Sequence, residues 1–182
     1  KDKTFSILKK IKSKKIKRIK NEKNLGKAAS IIKALKKTTY DKVIFIDSDL
    51  PYIKNLKEVI RGLKKYDLVF VDRRHAKSKK LKLNETFYQF LRESIGLFIN
   101  LLIRIIFKIP YKDTQAGLKG FRKIPEFSSF KFNSTLFFLD VELIDFFYRN
   151  EKKILNIPTK YIVPKQSSIK IISIKNIAIF LE

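Results

Sequence analysis

The apolar positions change period several times along the chain, and each change marks an element. Phe5, Leu8 and Ile11 recur at helical spacing and predict a helix from Thr4 to Ile11. Ile16 and Ile19 sit in a short lysine-rich alternation that reads as a strand, and Asn24-Leu25-Gly26 reads as a turn. Ala28, Ile31, Ile32 and Leu35 return to helical spacing between Lys27 and Lys37. Val43-Ile44-Phe45-Ile46 is a short apolar run, β-branched and aromatic, of the kind that forms a buried strand. Ile53, Leu56, Ile60 and Leu63 mark a further amphipathic helix, and Leu68 to Val71 a second buried strand.

Past a basic loop from His75 to Lys82, the residues Glu85 to Phe107 predict one long helix or two joined ones, stopped by Pro110. A polar loop then enters a strand near Leu118 to Phe121. Leu139 to Tyr148 reads as a helix and Ile154 to Val163 as a strand carrying Pro158, while the isoleucine-rich tail from Ile169 shows no clear period. Strands that alternate with helices predict one α/β domain over residues 1–182, built on a mostly parallel sheet flanked by helices.

Composition narrows the chemistry. With 45% hydrophobic residues there is enough apolar surface for a core despite a net charge of +25. No Cys and one His exclude thiolate chemistry, a disulfide framework and a His-rich metal site. Any metal must take oxygen ligands, which favours Mg2+ or Mn2+. The charge draws the chain to polyanions, unless it is simply a solvated lysine-rich surface. The lysines are spread over many elements and most aromatics fall in apolar runs, so no nucleic-acid partner is expected. There is no Met, and Lys1 reads as a processed or truncated start.

The most informative segment is Lys42-Val-Ile-Phe-Ile-Asp47-Ser48-Asp49-Leu50, an apolar strand running into two carboxylates separated by one residue. Ligands of open α/β sheets bind at the carboxyl ends of strands, and two carboxylates there can hold a divalent cation that neutralises phosphate. The surrounding residues add to this. Asn24-Leu-Gly26-Lys27-Ala, a helix, a strand and then Asp47-Ser-Asp49 together resemble the family 2 glycosyltransferases of the GT-A (Rossmann-like) fold. Asp67-Leu-Val-Phe-Val-Asp-Arg73 is similar to a family strand that ends in a phosphate-binding arginine. Asp113-Thr-Gln-Ala-Gly117-Leu-Lys119-Gly-Phe121-Arg122 resembles the loop of dolichyl-phosphate mannose and glucose synthases, and Phe138-Leu-Asp140-Val-Glu142-Leu the start of their helix. Ile157-Pro158 and Gln166-Ser167-Ser168 are similar to the closing strand and loop.

The resemblance implies transfer of a hexose from GDP-mannose or UDP-glucose to a polyprenyl or dolichyl phosphate, at the cytoplasmic face of a membrane. It makes Asp49 the principal metal ligand, with Asp47 supporting metal and donor. Lys27 and Arg73 fall to the donor's phosphates, and Asp113 to the neighbourhood of metal and sugar. Arg92, Lys119 and Ser168 fall to the acceptor phosphate. Three positions depart from the pattern: Asp72 replaces a small residue beside Arg73, Ala28 a second glycine, and Lys170 lies one residue later than the family's lysine. The chain reads as beginning after the strands that bind the nucleotide base, a partial, N-terminally truncated domain with an exposed sheet edge. A non-catalytic, membrane-associated remnant is therefore the alternative to an enzyme, and a basic nucleic-acid-binding protein the weaker one.

In the segment 85–108, Arg92, Gly96, Asn100, Arg104 and Lys108 recur every four residues along an otherwise apolar stretch. Either the helix is buried in the core or it lies in a membrane interface with its cations toward lipid phosphate. Asp140 and Glu142 have a second reading as helix-capping carboxylates, and His75 reads as an exposed loop residue without chemistry.

Overall fold

The computed structural model describes residues 3–81, 86–133 and 138–162. Its helices are α1 (Thr4–Lys10), α2 (Gly26–Leu35), α3 (Leu56–Gly62), α4 (Phe87–Phe107) and α5 (Leu139–Arg149). The strands are β1 (Lys42–Ile46), β2 (Leu68–Asp72), β3 (Lys79–Lys80), β4 (Leu118–Arg122), β5 (Ile154–Pro158) and β6 (Lys160–Tyr161).

Among the described residues the main sheet has four strands in the order β1-β4-β2-β5. Helices flank it, as an α/β reading requires, and β1, β2 and β5 run in one direction with β4 against them. β2 and β5 pair in parallel, while β4 lies between β1 and β2 and runs antiparallel to both. The reason is the connection. After β2 the chain passes through β3 and α4 and re-enters the sheet at the end it left, so β4 begins where β1 and β2 finish. A crossover helix would have returned it to the opposite end. This reversal sets the loop 113–117 beside the turn that follows β1.

Side chains of β2 alternate between two cores. Leu68 and Phe70 join Phe121, Val141, Ile144 and Phe147 on the α5 side, whereas Val69 and Val71 join Val59, Leu63, Leu118 and Ile157 on the α3 side. Pro158 closes β5, which among the described residues pairs with β2 alone, so Pro158 sits at the end of an edge strand.

The strand expected around Ile16 and Ile19 does not form: residues 11–25 hold turns and irregular backbone between α1 and α2. Ile16 is exposed, and its N–H turns back to the Ser13 carbonyl at 3.3 Å with no neighbouring strand to pair with. A lone strand leaves half its backbone groups without partners, so alternation alone does not make one.

The long helix is a single one. At its start the Gln89 N–H donates to Thr86 Oγ1 at 3.3 Å, and the Thr86 N–H donates to Gln89 Oε1 at 2.9 Å. This reciprocal cap satisfies both backbone donors. Lys108 ends the helix in a left-handed conformation, φ 54°, and Pro110 disfavours helical backbone at Ile109. The orientation of α4 is unusual. Its inward stripe carries Gln89 (2% exposed) and Asn100 (6%) with Ile103, while Phe98 (60%), Ile106 (68%), Phe90, Leu101 and Ile105 face outward. Glu93 fastens the polar side to the body through Lys80 and, at 3.9 Å, Arg74. Among the described residues no helix is long and apolar enough to cross a membrane.

Candidate active site

The site is assembled at the end of the sheet where β1 and β2 stop and β4 starts. β1 delivers Asp47, whose N–H donates to the Gly117 carbonyl at 2.8 Å. The Leu50 N–H donates back to the Asp47 carbonyl at 2.9 Å and closes a tight turn. Leu50 sits at φ 51°, a left-handed conformation that a branched side chain rarely adopts. That turn presents Ser48 and Asp49 to solvent with Asp47 half-buried beneath them.

Gly117 explains where the Asp47 carboxylate lies. A Cβ on Gly117 would come within 2.1 Å of Asp47 Oδ2, so the aspartate occupies the space a side chain would fill. Gly117→Ala is expected to push this carboxylate off its seat while costing only about 1–3 kcal/mol, an ordinary overpacking penalty. Thermal unfolding should report a modest loss. A crystal structure of the variant should show Asp47 turned away from Lys27, and an unmoved Asp47 would refute the steric account.

Lys27 approaches from the first turn of α2. Gly26 supplies the φ of 81° at the bend, and its N–H donates to Asn24 Oδ1 at 3.0 Å. Lys27 Nζ stands 3.0 Å from Asp47 Oδ1 and 3.0 Å from Asp140 Oδ2. Asp140 in turn is 2.6 Å from Lys119 Nζ through its other oxygen, and Lys119 also donates to the Ala116 carbonyl at 2.6 Å. Burial alone would lower the Lys27 pKa, yet Asp140 and then Asp47 outweigh it and raise it. For the fully buried Lys119 the desolvation prevails over Asp140, and its pKa lies below the usual lysine value.

A second network sits beside the first. Arg73, just past β2, binds Asp113 in a fork: Nε to Oδ2 at 2.6 Å and Nη2 to Oδ1 at 2.8 Å, with the Arg73 N–H donating to Oδ2 at 3.0 Å. Burial would push the Asp113 carboxyl up, but these bonds to Arg73 hold it below the ordinary carboxylate value, and Arg73 is raised correspondingly. Tyr52 adds a phenol whose pKa burial raises and Arg73 partly offsets. Lys119 also acts on Asp113, and Asp47 on Tyr52, so the networks adjoin.

Thus Lys27, Asp47, Lys119, Arg73 and Asp113 come together, with Asp49 on the exposed turn next to them. Lys119 has no exposed surface, so its ammonium faces Asp140 and not solvent. Arg92 falls within α4, with its side chain outside the described residues, as are Ser168 and Lys170 altogether. Asp72 does not pair with Arg73. Its buried carboxylate accepts from the Arg74 N–H at 2.7 Å and Asn156 Nδ2 at 2.7 Å, and so shapes the turn that aims Arg73. Among the described residues no side-chain hydrogen bond caps the start of α5, and Glu142 accepts from the Asn133 N–H at 3.1 Å. His75 is half-buried in its turn, where Nδ1 accepts from the Lys77 N–H at 3.1 Å. Ala28 is fully buried on the inner side of α2. Sequence reasoning missed Tyr52 and the bridging role of Asp140, because neither has a signal apart from the partners the fold brings to it.

The donor set suits a hard cation completed by substrate. Among the described residues no cluster of three or more carboxylates and imidazoles occurs. Mg2+ is commonly held by one or two carboxylates, water and phosphate oxygens, and Asp47 with Asp49 offer two carboxylates at the end of β1, with Lys27 3.0 Å from Asp47.

The chain finds no match among the curated proteins. The sequence model described as glycosyl transferase family 2 matches residues 1–132, most of the chain. With the carboxylate turn at the end of β1 and the mixed sheet behind it, that match makes the chain a member of the family 2 glycosyltransferases, with a GT-A-like fold.

Proposed function

We propose that this glycosyltransferase moves a hexose from a nucleotide-sugar, GDP-mannose or UDP-glucose, to a polyprenyl or dolichyl phosphate at the cytoplasmic surface of a membrane. The observation that carries the acceptor reading is α4, whose outward side carries Phe90, Phe98, Leu101, Ile105 and Ile106 while Gln89, Asn100 and Ile103 face the protein. Apolar helix faces of this kind lie in the boundary of a lipid bilayer, and the net charge of +25 favours an anionic one.

Enzymes of this family commonly use divalent metals. Asp47 and Asp49 would hold Mg2+ or Mn2+, which supplies charge neutralisation at the donor's diphosphate. The protein's own groups do the rest. Arg73, locked by the Asp113 fork, places a fixed cation where negative charge grows on the leaving group. Lys27 adds a second at the mouth. An oxygen of the lipid phosphate attacks the anomeric carbon, the bond from that carbon to the diphosphate oxygen breaks, and the nucleoside diphosphate departs. The attacking oxygen is already anionic near neutral pH, so positioning is needed more than a strong base. Arg92 and Ser168 are assigned to that lipid phosphate. Lys119 supports the site from behind through Asp140.

The test is transfer of labelled hexose to polyprenyl phosphate in anionic vesicles. Label should reach the lipid fraction only with Mg2+ or Mn2+ present. Vesicle binding without any metal-dependent donor affinity would instead favour a non-catalytic membrane module. The double variant Phe98→Glu/Ile105→Glu should weaken vesicle co-sedimentation about tenfold or more, since each change removes an exposed apolar side chain that would enter the lipid and adds a charge repelled by it. Unchanged sedimentation would sink the role of α4.

A further inference from the structure

Resting on the reading that Asp47 helps hold a divalent cation, we infer that Asp140 is a positioning residue for that cation. It shares Lys27 with Asp47 and so keeps the lysine from closing Asp47 off.

The groups form a line of alternating charge, Lys119–Asp140–Lys27–Asp47, whose side-chain exposure rises from 0% and 3% to 26% and 37%. It runs from the core of the sheet to the mouth of the site. Lys119 and Asp140 by themselves would make a neutral buried pair, with the second proton of the ammonium satisfied by the Ala116 carbonyl. Lys27 reaches in from α2 to the remaining Asp140 oxygen and stands equally far, 3.0 Å, from one oxygen of each aspartate.

That placement has a consequence for Asp47. A lysine whose sole partner was Asp47 would direct its whole attraction at the oxygen a metal needs, and the metal would have to displace it. Asp140 draws part of that attraction inward, while Lys119 stops Asp140 from holding Lys27 too firmly. Lys27 is therefore poised to give up Asp47 without losing a counter-charge. It stays beside the site, where it can meet an anionic oxygen of the donor. Gly117 completes the device by leaving room for Asp47 Oδ2 on the far side of the carboxylate from Lys27's partner oxygen.

The experiment measures Mn2+ affinity of the full chain without donor, from the electron paramagnetic resonance signal of free Mn2+. Asp140→Asn alone strands Lys119 without a counter-charge in the core, so the informative variant is Lys119→Met/Asp140→Asn, which keeps the interior neutral. Its Mn2+ dissociation constant should rise about tenfold, the scale on which outer partners of metal ligands act. Adding Lys27→Met should return the affinity to the wild-type value or tighter, because the competing ammonium is gone. A merely structural Asp140 would not be rescued in that way. Unchanged Mn2+ affinity in the paired variant would overturn the inference alone, as would a weakening that persists after Lys27→Met. A wild-type chain that takes up no Mn2+, neither free nor as its nucleoside diphosphate complex, would overturn the metal reading and the inference with it.

Discussion

Replacing Asp49 with alanine is expected to lower hexose transfer by a factor on the order of a hundred or more while leaving the fold intact. The turn carrying Asp49 is closed by a backbone bond, Leu50 N–H to the Asp47 carbonyl, and the Asp49 side chain is exposed. Its removal should therefore change stability by no more than about 0.5 kcal/mol, as for other surface positions. The loss in rate follows from what remains. Asp47 alone would hold the cation, and charge on the departing diphosphate would lose part of its compensation, an effect that elsewhere costs about a hundred- to a thousandfold. Asp47→Ala is the less clean experiment, since it also frees Lys27 from its ion pair. Steady-state transfer and metal-dependent donor binding check the prediction. Full activity in the Asp49→Ala variant would remove this residue from the metal site.

Asp113→Ala should be the most destabilising single change at the site. Asp113 has no exposed side-chain surface and spends its carboxylate on the Arg73 fork, the Arg73 N–H and the Gln115 N–H at 3.2 Å. Truncation would leave the arginine without its partner, and breaking one side of such a pair costs about 3–5 kcal/mol. Equilibrium unfolding in urea measures this. Replacing both partners with apolar residues, Arg73→Met/Asp113→Leu, should recover much of the stability yet none of the transfer, which separates scaffold from chemistry. The same pair predicts an acid limit. The folded Asp113 pKa lies below its ordinary value of 3.8, so the unfolded chain binds the proton first as pH falls. The contribution is complete above that ordinary value, shrinks below it, and is lost once pH passes through the lower folded value. In the Asp113→Leu background this part of the acid dependence should vanish.

Most of the elements were legible in the chain because their apolar periods are strong. The helix starting at Gly26, the strand Lys42–Ile46, the buried strand Leu68–Asp72 and the helix Leu139–Arg149 all fall within a residue or two of expectation. Ile16 and Ile19 misled because alternation records a pattern and not a partner. The direction of β4 was hidden for a related reason: a strand of five residues reads the same way up or down. Lys119 illustrates the limit at a single residue. The resemblance put it at the acceptor phosphate, and only the seating of β4 beneath α5 turns it into a buried counter-ion for Asp140. Likewise the period of Arg92, Gly96, Asn100, Arg104 and Lys108 marks one side of a helix, but a period cannot say which side faces water.

What the sequence by itself determined is the family pattern and the chemistry it allows: two carboxylates after a buried strand, oxygen ligands only, an arginine after the next strand, and a long helix with one polar stripe. These are local, since strand ends, caps and residue types act within a few positions of the chain. What only the tertiary structure decided is how the charges pair and which faces are spent. Lys27 meets Asp140 across more than a hundred residues of sequence, and Arg73 meets Asp113 across forty. Charge pairing at 3 Å depends on the reversal of β4, and that follows from how the whole chain closes its core.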